Sequence, residues 1–212
     1  MADVFDYKKE YKELYLPKTV PAIIKVPEMT FVAVDGKGDP NDKDGEYVKA
    51  IELLYSIQYT IKMSKKKQNA PEGYFDYVVP PLEGFWTVEN KDDIGNKSKY
   101  IWTAVIRLPE FVNKKIFERV CNEAANKKNI NTEKAKCIKI TEGLCVQCMH
   151  IGSFDEEPKT IAIIEKCIEE NNLANDINRE RHHHEIYLSD LRKTEKEKLK
   201  TVLRIPVREK IK

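Results

Sequence analysis

The sequence has no long hydrophobic segment and almost no net charge, and each shortage excludes a class of protein. No apolar run approaches the ~20 residues that a membrane-spanning helix needs. The 37 basic residues are offset by 35 acidic ones, which leaves a formal charge of +2, so no overall field draws the chain to nucleic acid or to an anionic membrane. The N-terminal segment begins acidic and lacks the apolar stretch of a signal peptide, which predicts a cytoplasmic protein.

Disulfides, metal ions and cofactors are not expected either. The five cysteines are an odd number at scattered spacings, which does not fit a disulfide framework. Cys145 and Cys148 form a CxxC pair, but the segment around them has the pattern of a strand, in which residues three apart point to opposite faces. The same alternation prevents His182, His183 and His184 from all reaching one ion. We therefore predict no metal site and no cofactor.

The apolar periodicity predicts a mixed fold. The 212 residues, 41% of them hydrophobic and 34% charged, suit one soluble domain with a real core. Runs of β-branched and aromatic residues predict strands at 29–35, 74–79, 82–89, 100–108, 137–141, 144–150, 183–189 and 201–207. Apolar residues at steps of three or four predict helices over 45–64 and 113–127, and a third helix from near Pro158 to about Asn171.

The order strand, glycine loop, long helix, strand, strand occurs twice, which indicates a duplicated β-α-β-β unit. The first half covers about 28–112, a linking helix about 113–128 and the second half about 136–208, within a single domain of residues 1–212. Each unit has one helix and a sheet with one bare face. Two units can therefore join into a curved antiparallel sheet with the two main helices on one face and a ligand cleft on the other. The expected fold class is α+β.

The segment from His184 to Leu188 carries the candidate chemistry. Alternation along a strand places His184, Ile186 and Leu188 on one face and Glu185 and Tyr187 on the other. Because Ile186 and Leu188 suit a helix-covered core, we expect Glu185 and Tyr187 on the open face. A carboxylate beside a phenol there can bind a cation or act as a general base. An ordinary exposed polar face fits the pattern equally well.

Aromatic candidates come from the first half. Trp86 and Trp102 are the two tryptophans of the chain, and Tyr77 lies on a nearby predicted strand. Aromatic clusters of this kind are more often core than ligand cage, and Trp86, which follows Glu83 by three residues, is the better cage candidate. A flat ligand stacked on Trp86 and closed off by carboxylates is the predicted mode of binding.

In this order and spacing, a set of short segments resembles the GyrI-like small-molecule-binding family, especially its stand-alone members of about this length. The segments run over nearly the whole chain and include Asp35-Gly-Lys-Gly-Asp-Pro40, Pro81-Leu-Glu-Gly-Phe-Trp86, Pro109-Glu-Phe-Val112, His150-Ile-Gly152 and His183-His-Glu-Ile-Tyr-Leu-Ser-Asp190. The resemblance implies an effector-binding fold with a central ligand cleft, which is the architecture that the repeat also suggests.

The resemblance also implies a function and a set of site residues. Members of the family bind drug-like or toxic aromatic compounds, and some stand-alone members resemble hydrolases that open the cyclopropane ring of DNA-alkylating natural products. Detoxification by hydrolysis, non-catalytic sequestration or sensing of drugs, and inhibition of a gyrase-type partner are all compatible with it. Carried over by position, the catalytic candidates are Glu185, Tyr187 and Glu83, and the ligand-binding candidates are Trp86, Phe85, Trp102, Tyr77 and His150.

Two further observations bear on these expectations. Thr87 stands where the family pattern commonly has a second aromatic residue, which leaves the substrate open. The two halves and a short N-terminal lead use the whole sequence, so we expect no helix-turn-helix segment. The expected partner is a small aromatic or cationic ligand, and neither nucleic acid nor a membrane.

Overall fold

The computed structural model describes residues 4–190 and 192–210. Its strands are β1 (Ala22–Lys37), β2 (Leu82–Thr87), β3 (Ile101–Arg107), β4 (Lys136–Ile151), β5 (Leu173–Asn175), β6 (His183–Tyr187) and β7 (Lys200–Glu209). Its α-helices are α1 (Tyr7–Glu10), α2 (Lys12–Tyr15), α3 (Glu46–Lys62), α4 (Lys114–Lys128) and α5 (Glu157–Glu170). The seven strands belong to a large antiparallel sheet, so the predicted α+β class is confirmed. Within the described part of the chain, no helix is long and apolar enough to cross a membrane.

The predicted order of elements is present twice. β1, α3, β2 and β3 follow one another in the first half, and β4, α5, β6 and β7 follow in the second, where the short β5 is an addition. The described residues fall into two compact units. The first unit comprises 4–10, 29–80 and 87–140, and the second comprises 11–28, 81–86 and 141–210 without residue 191.

The first unit is built on the antiparallel pair of β1 and β3, in register from Phe31 opposite Arg107 to Lys37 opposite Ile101. Trp102 of this pair is 1% exposed and meets the ring of Tyr47 on α3 edge-on, with centroids 4.9 Å apart. Gly36 lies opposite Trp102, and a Cβ at this glycine would come within 2.2 Å of the indole. The absence of a side chain at residue 36 therefore gives Trp102 its place in the core.

The second unit is centred on β6 and β7. β6 pairs antiparallel with β2 on one side and with β7 on the other, and β7 also pairs with β4 and β5. α5 lays its inner face on these strands and forms one apolar cluster with them, made of Val146, Cys148, Ile164, Ile168, Leu173, Leu203, Ile205 and Val207. We call this set the α5 cluster.

Two strand predictions are wrong. Residues 74–79 do not form a strand, because only Tyr77 makes a bridge, to Phe5, and the two prolines that follow at 80 and 81 have no N–H to continue a ladder. The strands predicted at 137–141 and 144–150 are one continuous strand, β4. Gly143, which lies between them, has φ at +66°, a conformation that glycine adopts without strain.

Candidate functional site

β6 exposes its residues alternately, as the sequence predicts. His184 and Ile186 are buried, whereas His183, Glu185 and Tyr187 are partly exposed. Residues that face each other in an antiparallel pair point to the same side of the sheet. On the β2 side, the partners of His183, Glu185 and Tyr187 are Trp86, Gly84 and Leu82. These six residues share one side of the sheet, which we call the Glu185 face.

A hydrogen-bonded relay crosses the Glu185 face. The indole Nε1 of Trp86 donates to the hydroxyl of Tyr187 at 2.9 Å, and this hydroxyl donates to Oε2 of Glu185 at 2.7 Å. The other carboxylate oxygen, Oε1, lies 3.3 Å from Nε2 of His183. The side chain of Glu185 is 14% exposed, so the carboxylate is held in a fixed direction in a largely dry place.

Gly84 allows this relay to form. It lies opposite Glu185 in the β2–β6 pair, and a Cβ at this position would come within 2.6 Å of Trp86 Nε1 and 3.1 Å of the Tyr187 hydroxyl oxygen. The indole therefore lies across the bare backbone of β2. Phe154, just before α5, contacts Tyr187 edge-on with ring centroids 5.9 Å apart, and so packs against the residue that donates to the carboxylate.

The side of the sheet on which Glu185 lies differs from our expectation. In β7 the partner of Glu185 is Leu203, and Leu203 belongs to the α5 cluster. The Glu185 face is therefore the face that carries α5 in this unit, and it is not a helix-free face. The alternation is confirmed, but Ile186 is buried on the opposite side, because a second buried layer lies there.

That second layer is a network of charges, which we call the buried ion network. Nδ1 of His184 lies 3.0 Å from Oε1 of Glu142 and Nε2 of His184 lies 2.9 Å from Oε2 of Glu83. The second oxygen of Glu142 accepts from Nη1 of Arg204 at 2.7 Å. Of these four side chains, those of His184, Glu83 and Arg204 are at most 1% exposed and that of Glu142 is 7% exposed. The contact between His184 and Glu83 is ionic, since neither atom makes an aligned hydrogen bond.

Neutral groups complete the network. Gln147 accepts two hydrogen bonds from Arg204, at 2.9 and 3.0 Å, and Arg204 also donates to the carbonyl of Leu14 at 2.9 Å. The hydroxyl of Tyr15 lies 3.4 Å from Oε1 of Glu83. With His184 protonated, two positive and two negative side chains balance, which is the condition for burying charge at a tolerable cost.

The pKa values follow from this balance. Burial by itself would raise the pKa of Glu142, but the charges of Arg204 and His184 lower it from 4.5 to about 2. Burial would likewise lower the pKa of His184, but the Glu142 carboxylate and hydrogen bonding raise it above its ordinary value of 6.5. His184 is thereby held in its charged form.

The predicted site residues fall into separate groups. Glu185, Tyr187 and Trp86 lie together on the Glu185 face, but Glu83 lies on the opposite side, in the buried ion network. Phe85 shares that side and stacks on the His184 ring at 4.0 Å.

The remaining predicted residues are buried and engaged elsewhere. His150 is 3% exposed and binds the Thr160 hydroxyl and the Ser153 carbonyl. Trp102 and Tyr77 are buried in the first unit. Within the described residues, no group of His, Cys, Asp and Glu side chains could hold a metal ion.

Sequence reasoning missed three elements of the site. His183 drew attention only as a metal ligand, although alternation places it on the same face as Glu185. Gly84 gave no signal, because its role depends on where the Trp86 indole lies. Arg204 did give a signal in the sequence, since a charged residue in the middle of the apolar run of β7 needs a buried partner.

The comparison with known families is decisive. The GyrI-like small-molecule-binding domain matches residues 19–208. The chain belongs to the GyrI-like family. No curated protein matches it.

Solved structures that are almost half identical in sequence to this chain support this assignment. A hydrolase from Listeria innocua is 47% identical, with a TM-score of 0.88, and the match covers 96% of this chain and 100% of that one. An uncharacterized conserved protein from the same organism is 48% identical, with a TM-score of 0.92 and the same coverage. The C-terminal domain of EcmrR is 14% identical, with a TM-score of 0.51 over 90% of this chain and 98% of that one, and it shares the fold alone.

Proposed function

We propose that this GyrI-like chain hydrolyses a small, lipophilic, aromatic electrophile, with Glu185 as the general base. The observation that carries the proposal is the unequal use of the two carboxylate oxygens of Glu185. Oε2 accepts a short hydrogen bond from Tyr187, whereas the contact that Oε1 makes among the described residues is the looser one of 3.3 Å with His183. A carboxylate fixed through one oxygen and less tightly engaged through the other is suited to take a proton from a water molecule.

The reaction would use this geometry as follows. Glu185 takes a proton from water while the water oxygen bonds to the electrophilic carbon of the substrate. The strained bond at that carbon breaks, and its electron pair moves to a conjugated acceptor atom, which takes up a proton. The product is the substrate plus one water. The aromatic rings of Trp86 and Tyr187 would hold a flat substrate against the carboxylate, which lowers the barrier by orientation.

Two further observations support hydrolysis and suggest a first substrate class. A structure 47% identical to this chain is described as a hydrolase. The resemblance of the sequence to stand-alone family members suggests cyclopropane-bearing, DNA-alkylating compounds as the class to test. Binding without turnover is the second candidate, because a largely buried carboxylate beside aromatic rings also suits a lipophilic cation. Glu185 would then pair with the charge of the ligand.

Incubation of the purified protein with a cyclopropane-bearing alkylator, followed by mass spectrometry of the small molecule, tests the proposal. The wild type should convert the compound to a product heavier by one water, over many turnovers. Glu185→Gln should keep binding and lose about 10²–10⁴-fold in kcat. Glu165→Gln, on the exposed side of α5, is the matched control and should retain full activity.

The outcomes separate the two candidates. Equal turnover by wild type and Glu185→Gln would exclude Glu185 as the base. Unchanged compound recovered bound to the wild type, with cations bound more weakly by Glu185→Gln, would instead establish sequestration.

A further inference from the structure

We propose that His183 is the general acid that works with Glu185, an inference that rests on the proposed hydrolysis. Its Nε2 atom is inaccessible to solvent and has no aligned hydrogen bond. The nearest charged group described for it is Oε1 of Glu185, at 3.3 Å. A buried polar atom without an aligned hydrogen bond costs free energy in a folded protein. We expect Nε2, which lies beside the Glu185 carboxylate, to donate to a bound substrate.

Its neighbours in sequence do not share this position. Nε2 of His182 donates to the Arg179 carbonyl at 3.1 Å. His184 has both ring nitrogens in the buried ion network. Of the three consecutive histidines, His183 is therefore the one placed on the Glu185 face.

Along β6 and the strands paired with it, Glu185 is the carboxylate beside His183 on this face. On β6 the face carries Glu185, together with the phenol of Tyr187, which already donates to Glu185. On the paired segments of the neighbouring strands it carries residues that do not titrate, namely Leu82, Gly84 and Trp86 of β2 and Thr201 and Leu203 of β7.

The pair can complete a catalytic cycle without an outside proton source. The cycle requires an ionised Glu185 and a protonated His183 at the start. Glu185 takes a proton from the attacking water, and His183 gives its Nε2 proton to the atom that receives the electron pair of the broken bond. Glu185 is then neutral and holds a proton, and His183 is neutral with Nε2 free. Transfer of that proton from Oε1 to Nε2, across 3.3 Å, restores both groups.

The cycle predicts the effect of replacing His183. Because the atom that receives the electron pair then lacks its proton donor, His183→Gln should reduce kcat by about 10²-fold or more, with little change in KM. His182→Gln, one residue away, is the matched control and should keep the wild-type kcat.

Chemical rescue distinguishes proton transfer from a structural role. Added imidazole should restore part of the kcat of His183→Ala and should leave Glu185→Gln inactive, whereas a variant that fails to fold shows no rescue and a changed unfolding temperature. Wild-type kcat in His183→Gln, with Glu185→Gln inactive, would overturn the role of His183 and leave the proposed function standing. A wild type without turnover of the alkylator would overturn both.

Discussion

Replacement of Gly84 by alanine should displace Trp86 from the candidate site and leave the Glu185 carboxylate itself unchanged. The new Cβ would lie 2.6 Å from Trp86 Nε1, 3.0 Å from Trp86 Cε2 and 3.1 Å from the Tyr187 hydroxyl. Ordinary contact with a Cβ begins at about 3.4 Å, so the indole has to retreat by about 0.8 Å. A retreat of this size stretches the 2.9 Å bond from Trp86 to Tyr187 out of hydrogen-bonding range.

The size of the effect follows from these distances. Overpacking of a well-filled region costs about 1–3 kcal/mol, and the lost hydrogen bond adds about 0.5–1.5 kcal/mol. We therefore expect Gly84→Ala to lower the free energy of unfolding by about 2–4 kcal/mol. Tyr187 loses the donor that orients its hydroxyl, so turnover or ligand affinity should fall as well.

A double-mutant cycle with Trp86→Ala isolates the cause. Urea unfolding of the wild type, both single variants and the double variant gives the interaction energy between the two positions. Once the indole is absent, the alanine at 84 has space, so its cost should fall below about 1 kcal/mol. An unchanged cost in the Trp86→Ala background would show that the indole is not what excludes a side chain at 84.

Three further predictions concern the relay and the buried ion network. Tyr187→Phe removes the hydroxyl that joins Trp86 to Glu185, and kcat should fall about 10-fold or more, since a hydrogen bond to a charged group contributes about 1.5–3 kcal/mol; unchanged kcat would refute an orienting role. Arg204→Met removes one of the two cations that contact the buried Glu142 carboxylate and should cost about 3–5 kcal/mol in urea unfolding, so a loss below about 1 kcal/mol would contradict the network. The free energy of unfolding should also depend on pH, and should decline on both the acid and the alkaline side. The Glu142 contribution is present above pH 4.5 and is lost as the pH falls towards about 2, whereas that of His184, whose pKa is raised, is complete below 6.5 and is lost as the pH rises through the folded value. Unfolding free energies measured against pH should show both declines, and His184→Gln should abolish the alkaline one.

Most of the fold could be predicted from local pattern. α4 begins one residue after Asn113, whose side chain caps it by accepting from the Ile116 N–H, and the apolar spacing alone predicts its length. The predicted strand at 74–79 is wrong, because aromatic and β-branched residues favour an extended backbone but a strand also needs a neighbouring strand to pair with. Phe5, the only bridge partner of Tyr77 among the described residues, is far away in sequence.

The candidate site could be predicted only in part. Period-two alternation correctly separates Glu185 and Tyr187 from Ile186, because it depends on the backbone alone. The side of the sheet on which they lie depends on whether Ile186 meets a helix or another buried layer, and this requires the register with Leu203 and Arg204 of β7. The alternation within β6 says nothing about which residues of β7 lie opposite, so this register could not be predicted from it.

The two sides of β6 are coupled by its register. His184 is held by Glu83 of β2 and Glu142 of β4, and Arg204 of β7 binds Glu142 in turn. A shift of β6 by one residue would place His184 on the apolar α5 side and Glu185 among Glu83 and Glu142, where like charges repel. The buried ion network therefore adds little to stability compared with an apolar core of the same volume, but it excludes this alternative pairing. By fixing β6 against β2 and β7, it places the carboxylate of Glu185 opposite Gly84, within reach of the relay from Trp86.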